Sequence, residues 1–457
     1  MSRDKPENHF HTNGTALEII HNGPQSATPV SHSLWLTHPG DDGCDTPASG
    51  PAAMLQAVNA RAIPFQGRED MLATVAQWLE DDPATVSVQI LTGRPGQGKT
   101  RLGMEMAARA RRRGWHAGFL PACSTELFPA TGFKTVWHQP TLVIIDNAAA
   151  RAPQIRAWFA AVLRQPPGTH PLRFMLLERT GLDALWQDTV FGVDGVETAP
   201  LSTLRPATRW PPLAALADTQ AQAALFTAAY RAAGGGGLPA DTTRKLGRRL
   251  KALGVGHATI FPILLGFVAA REGVLDARRL APSTLLARVA ATHVADLQKL
   301  WAASPAVPES LHPALPSLAA ASHILGGLTA GHIRTLIHAL DMTHADLTDG
   351  QLRAVHALPG MGNGAGLDLP GLIRDAVGLH LAAALPALQW DGVRDGLMAL
   401  APHHLATGIA RLCQGPDLPH FDLRVAWLRQ LHASARHDRN VLSCLAALLP
   451  LSAVPLR

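Results

Sequence analysis

The octapeptide Gly93-Arg94-Pro95-Gly96-Gln97-Gly98-Lys99-Thr100 sits between two segments of opposite periodicity. Before it, Val86 to Leu91 (VSVQIL) is a short, β-branched apolar run. After it, Arg101 to Arg112 brings apolar residues round at helical spacing. A strand that turns through glycines straight into a helix reads as the start of a βαβ unit, whose next parallel strand is reached by a crossover. Further apolar runs follow at Gly118-Phe119-Leu120, Thr141 to Ile145 and Arg173 to Leu177, with helical segments such as Gln154 to Arg164 between them. The alternation predicts an α/β domain, a parallel sheet with flanking helices, and places any ligand at the carboxyl edge of that sheet.

The octapeptide fits the pattern GxxxxGK[ST], and each part of it has a physical use. Gly93, Gly96 and Gly98, with Gln97 between the last two, let the backbone curl so that successive N–H groups surround a phosphate, and the following helix adds the partial positive charge of its N-terminus. Lys99 reaches the β- and γ-phosphates, and the Thr100 hydroxyl is a Mg²⁺ ligand. Asp146, at the end of the TLVIID run, is the acid expected to hold the same Mg²⁺. Asp146 is followed by Asn147, Ala148, Ala149 and Ala150, where no second carboxylate stands to polarise an attacking water. Glu178, in RFMLLERT, is the nearest alternative acid, with an outward structural carboxylate the equal reading, and Arg179 beside it is placed to sense a γ-phosphate, with a surface arginine the alternative. Without an NKxD guanine-reading motif, ATP or ADP is the expected nucleotide.

Composition excludes several other classes. Of 457 residues, 47% are apolar and 16% charged, so most of the chain can bury a core and is not disordered or fibrous. A net charge of +5 over this length does not by itself mark a nucleic-acid binder. Two basic runs, Arg109 to Arg113 and Arg244 to Lys251, read mainly as solvated helix faces, with nucleic-acid contact the lesser reading. Four widely spaced cysteines, Cys44, Cys123, Cys413 and Cys444, suggest neither a disulfide framework nor a zinc ribbon. The longest apolar stretch, Ala258 to Ala270, is too short to span a bilayer, so a cytoplasmic protein without membrane contact is expected. No HExxH, GxSxG or Cys/His nucleophile pattern is present.

The domain reading follows the composition shifts. Residues 1–53 are rich in Pro, Gly, Ser, Thr and His and read as a disordered or weakly ordered tail, with a short strand near Leu34-Trp35-Leu36. The α/β domain runs over 54–204. A linker and helical lid occupy 205–303, including the Gly234 to Gly237 run and helices expected at Thr242 to Leu253, Ile260 to Arg271 and Leu280 to Ala303. Residues 304–457 read as an all-α, winged-helix-like or short-repeat half.

AIPFQGREDMLATVAQWLEDD, GRPGQGKTRL, LVIIDNAAAR, PLRFMLLERT and HATIFPILLGF, in this order over roughly residues 54–270, resemble the STAND class of signal-transducing P-loop NTPases, relatives of the NACHT and NB-ARC switch ATPases. The resemblance implies that Phe65-Gln66-Gly67-Arg68-Glu69 borders an adenine pocket, with Arg68 and neighbouring backbone holding the base. It further implies that Arg179 is the sensor arginine and that Pro262 is the lid proline that touches adenine. More loosely, LDLPGLIRDAVGLHLAAAL resembles part of a bacterial winged-helix domain. Where such relatives carry an acid shortly after the strand-end aspartate, this chain has Ala149. The expected function is an ATP-binding signalling switch with slow hydrolysis, working through self-association or a protein partner of the helical half. The alternatives are a hydrolysis-deficient nucleotide-binding scaffold and, behind it, an AAA+ motor or P-loop kinase.

Overall fold

The computed structural model describes residues 17–21, 30–33, 36–38, 63–120, 133–179, 183–192, 201–238, 246–250, 258–305, 307–340, 348–358, 360–361, 371–400, 402–413, 418–435, 438 and 441–442. In chain order the α/β part contains β1 (Leu17–His21), β2 (Val30–Ser33), α1 (Glu69–Asp81), β3 (Val86–Gly93), α2 (Lys99–Arg112), β4 (His116–Phe119), β5 (Phe133–Trp137), β6 (Thr141–Asp146), α3 (Ala152–Leu163), β7 (Leu172–Arg179) and α4 (Asp183–Phe191). The helical half contains α5 (Thr219–Ala232), α6 (Phe261–Glu272), α7 (Val274–Ala277), α8 (Pro282–Ala302), α9 (Leu315–Leu325), α10 (Ala330–Ala339), α11 (Asp349–His356), α12 (Gly371–Ala383), α13 (Ala387–Leu400), α14 (Pro402–Cys413) and α15 (Phe421–Ser434).

The main sheet is parallel throughout, in the order β3-β7-β6-β4. Its strands are near-continuous apolar runs because both faces are covered. Leu91, Leu142, Ile144, Met175 and Leu177 point to the side of α1 and α2. Their sequence neighbours Val143, Ile145, Phe174 and Leu176 point to the side of α3 and α4, as the two-residue period of a strand requires. β7 lies between the strand that precedes the glycine-rich loop and the strand that ends in Asp146.

The segment read as a tail contributes structure. β1 pairs antiparallel with both β2 and β5, making a second sheet in the order β2-β1-β5. Leu17, Ile19 and Leu36 are buried, and Thr37 bridges Phe119 at the end of β4. β2 lies at Val30–Ser33, and of the strand expected near Leu34-Trp35-Leu36 only Leu36 is within the described residues. β5 was not anticipated, since FKTVW has only five residues and an exposed lysine at its second position.

The helical half has one continuous core that runs from Phe226 on α5 to Val441. Trp301, Val307 and Leu311 belong to it, so the boundary drawn at 303/304 falls inside a single core. Among the described residues this half carries helices and no strand, so nothing there forms the wing of a winged helix. α5 and α6 pack with their backbones close together: a Cβ on Gly266 would lie 2.6 Å from the Phe226 carbonyl oxygen. The helix expected at Thr242 to Leu253 is described only over residues 246–250. Among the described residues no helix is long and apolar enough to cross a membrane.

Candidate functional site

β3 ends at Gly93, and the chain turns back into α2 through Gly96 (φ +76°) and Gly98 (φ +89°). Both are left-handed conformations, available to glycine at little cost. Gly98 caps α2 and offers no side chain to its first N–H groups, so the positive end of the helix is left without a side-chain acceptor. The Lys99 ammonium arches back over the loop and donates to the Gly93 carbonyl (2.7 Å) and the Arg94 carbonyl (3.3 Å). Burial pushes it down to about 8, against Asp146, which favours its charge; Arg179 opposes the charge and Glu178 supports it.

The Thr100 hydroxyl donates to Asp146 Oδ2 at 2.7 Å, although the two residues lie on non-adjacent elements of the chain. The other carboxylate oxygen of Asp146 accepts the Asn147 N–H (2.9 Å), which fixes its rotamer. One step away on β7, Glu178 is fully enclosed. Its Oε2 accepts the Ala149 N–H and its Oε1 the Arg179 N–H, each at 2.7 Å. Burial raises this carboxyl above its ordinary range, and the two N–H donors act in the opposite direction. The backbone of Ala149, where an acidic side chain was looked for, therefore holds a carboxylate that arrives from the neighbouring strand.

Arg179 lies at the tip of β7, but its guanidinium is bound to the helical half. Nη1 donates to Asp375 Oδ2 on α12 at 2.8 Å, in a pair that is almost fully buried. Leu372, on the first turn of the same helix, rests on the loop: a Cβ at Gly96 would lie 3.0 Å from Leu372 Cδ2 and 2.8 Å from the Ala258 methyl. α6 approaches from another direction, with the Ile260 N–H donating to the Gly96 carbonyl (3.1 Å) and Pro262 buried in its first turn.

Arg68 lies beside the loop. Its Nη2 donates to the Ala214 carbonyl (2.6 Å) and lies 3.4 Å from both the Gln97 carbonyl and the Thr259 hydroxyl. The guanidinium thus ties the loop, the 213–216 segment and the approach to α6 together through Nη2. Gln97 is also engaged from its side chain, with Oε1 accepting the Thr259 hydroxyl (2.8 Å) and the Thr259 N–H (3.2 Å).

Lys99, Thr100, Asp146 and Arg179 are thus brought to one sheet edge together with Gly93, Gly96, Gln97 and Gly98; Arg68 reaches the Gln97 carbonyl of the loop, and Pro262 is buried in the first turn of α6. Thr259, Leu372, Arg374 and Asp375 were missed. The first two carry no local pattern, but the adjacent charges of Arg374 and Asp375 in the otherwise apolar run LIRDAVGL are a legible anomaly. The basic run on α2 is largely paired: Arg109 with Glu69 and Glu105, Arg113 with Glu80. Among the described residues no group of three His, Cys, Asp or Glu side chains is placed to hold a metal ion. Comparison of the sequence with protein-family models and with curated proteins finds no match, so the reading of this site stands on its geometry alone.

Proposed function

We propose that the chain is an ATP-binding switch of the STAND type, in which Mg²⁺-nucleotide binds at the Gly93–Thr100 loop and its phosphates set how the helical half sits on the sheet. The observation that carries this reading is the 2.7 Å meeting of the Thr100 hydroxyl with Asp146 beneath a helix N-terminus that no side chain caps. A hydroxyl and a carboxylate beside a lysine suit Mg²⁺ and phosphate oxygens. Mg²⁺ would be held by Thr100 and Asp146 and would neutralise charge on the β- and γ-phosphates. Lys99, relieved of the Gly93 and Arg94 carbonyls, would supply the remaining cation.

The switch follows from a competition. Arg179 pairs with Asp375 in this arrangement, and a γ-phosphate is a stronger partner for the same guanidinium. ATP then favours release of α12 and ADP favours retention, because a ligand shifts an equilibrium only through its differential affinity for the two states. Binding of a fluorescent ATP analogue tests the site. Lys99→Ala is expected to weaken it roughly 100-fold while leaving the far-ultraviolet circular dichroism of the fold intact. An unchanged affinity would remove the assignment.

One observation favours the scaffold reading over rapid turnover. Glu178 is the acid nearest the missing one, and both its oxygens already accept backbone N–H groups. Phosphate release from Mg²⁺-ATP, measured beside the Lys99→Ala control, separates a switch that turns over from one that only binds.

A further inference from the structure

The second basic run of the sequence, Arg244 to Lys251, stands in a setting unlike that of the run on α2. Its described part, residues 246–250, is helical, with Leu246 and Leu250 in the core of the helical half and Arg248 exposed. Arg249 reaches sideways and donates from Nη2 to the Leu280 carbonyl, in the short connection between α7 and α8. That bond joins two arginine-rich stretches, Arg248-Arg249 on one side and Arg278-Arg279, directly before Leu280, on the other. Arg279 is exposed, Arg278 is half-buried, and Arg271 is exposed in the last turn of α6, just before the chain enters α7. Residues 246–250 and 271–280 hold five arginines and two carboxylates, and one of these, Glu272, already pairs with Arg288. Among the described residues Arg248, Arg271, Arg278 and Arg279 have no ion pair, whereas Arg109 and Arg113 on α2 each meet a glutamate. Exposed charges of one sign this close in the chain raise the local potential, and a polyanion relieves it.

We propose that this arginine cluster is a docking surface for the phosphate backbone of a double-stranded nucleic acid. It is independent of the nucleotide reading, since no residue of the Gly93–Thr100 loop takes part. Guanidinium forks suit phosphate oxygens, and adjacent unpaired cations suit a backbone whose closely spaced charges hold counterions that binding sets free. The surroundings select the kind of polyanion. Among the described residues the exposed large apolar side chains are Leu300, Leu388, Leu400 and Phe421, none of them on these two stretches. A protein partner would call for an apolar centre to the interface, a single strand for aromatic rings on which bases stack, and a lipid surface for apolar side chains beside the cations. A duplex asks for none of these, because its outside is phosphate and sugar, and contacts to them position a protein without reading sequence.

The test follows the fluorescence anisotropy of a short labelled DNA duplex of arbitrary sequence with the full chain, from about 50 to 200 mM salt. Wild type is expected to bind, with an affinity that falls steeply as salt rises. Arg248→Gln/Arg279→Gln is expected to bind at least about tenfold more weakly at the low-salt end, with a log–log salt slope shallower by about 2, one unit for each phosphate contact removed. Both side chains are exposed, so this variant is expected to melt as wild type does. Arg353→Gln/Arg429→Gln takes the same charge from exposed positions on α11 and α15 and is expected to bind the duplex as wild type does. Wild type that leaves the duplex free at about 50 mM salt, or equal losses in the two double variants, overturns the assignment, the second because net charge alone would then account for binding. Tighter binding to polyglutamate or to phosphatidylserine vesicles than to the duplex, lost in Arg248→Gln/Arg279→Gln, also overturns it and gives the surface to an acidic protein segment or a membrane.

Discussion

Burial holds the Lys99 ammonium down at about 8 while the backbone carbonyls of Gly93 and Arg94 accept its protons. Between that value and the ordinary 10.5 the unfolded chain carries a proton that the folded chain has lost, so this group makes stability rise with pH across that window. A bound phosphate reverses the preference by favouring the charged form. Calorimetry of ADP binding at pH 9, repeated in buffers of different ionisation enthalpy, is expected to show uptake of about one proton, and none in Lys99→Gln. The loop glycines separate strain from crowding. Gly98 has an open surround, so Gly98→Ala meets only the left-handed backbone cost of about 1–2 kcal/mol. Gly96→Ala adds overlap with Ala258, Ile260 and Leu372, and urea unfolding is expected to show a further loss of about 1–3 kcal/mol. Equal losses at the two positions would mean that the lid and α12 do not rest on the loop.

Among the elements, α12 is the one through which the two halves meet most directly. Removing one partner of the buried Arg179–Asp375 pair strands the other charge, and Asp375→Ala is expected to cost about 3–5 kcal/mol in denaturant unfolding. The double variant Arg179→Met/Asp375→Leu should recover most of that loss, so the double-mutant cycle gives a large coupling energy. Additive losses would argue against a pair. The elements also show what the sequence made legible. β3, β6, β7, α2 and α6 lie within two residues of the segments read from apolar periodicity, because buried parallel strands and their helices write their burial into consecutive residues. Gly93, Lys99, Thr100 and Asp146 were legible for the same reason, since each is fixed by the end of one such element. Thr259 and Asp375 were not, because their roles depend on which distant segments fold back to the loop. Arg68 was legible in place beside the loop, but the local pattern could not show the contacts of its Nη2 with Ala214 and Thr259.

At the scale of the whole molecule, the sheet is covered on both faces by its own helices, and the helical half has a single core of its own. The two communicate at the carboxyl edge of β3, β6 and β7, through the loop, the start of α6 and α12. The buried charges of Arg179 and Asp375 sit where the two cores touch. The small antiparallel sheet sets a different constraint. β1 pairs residue for residue with β5, Leu17 opposite Trp137, so one edge can pair with β2 soon after its synthesis while the other finds β5 only after more than a hundred further residues have left the ribosome. At roughly 5–20 residues per second, that second edge of LEIIH stays unpaired for several seconds or longer. One edge of this strand can thus be fastened well before the other, and the timing of translation becomes a condition of the small sheet.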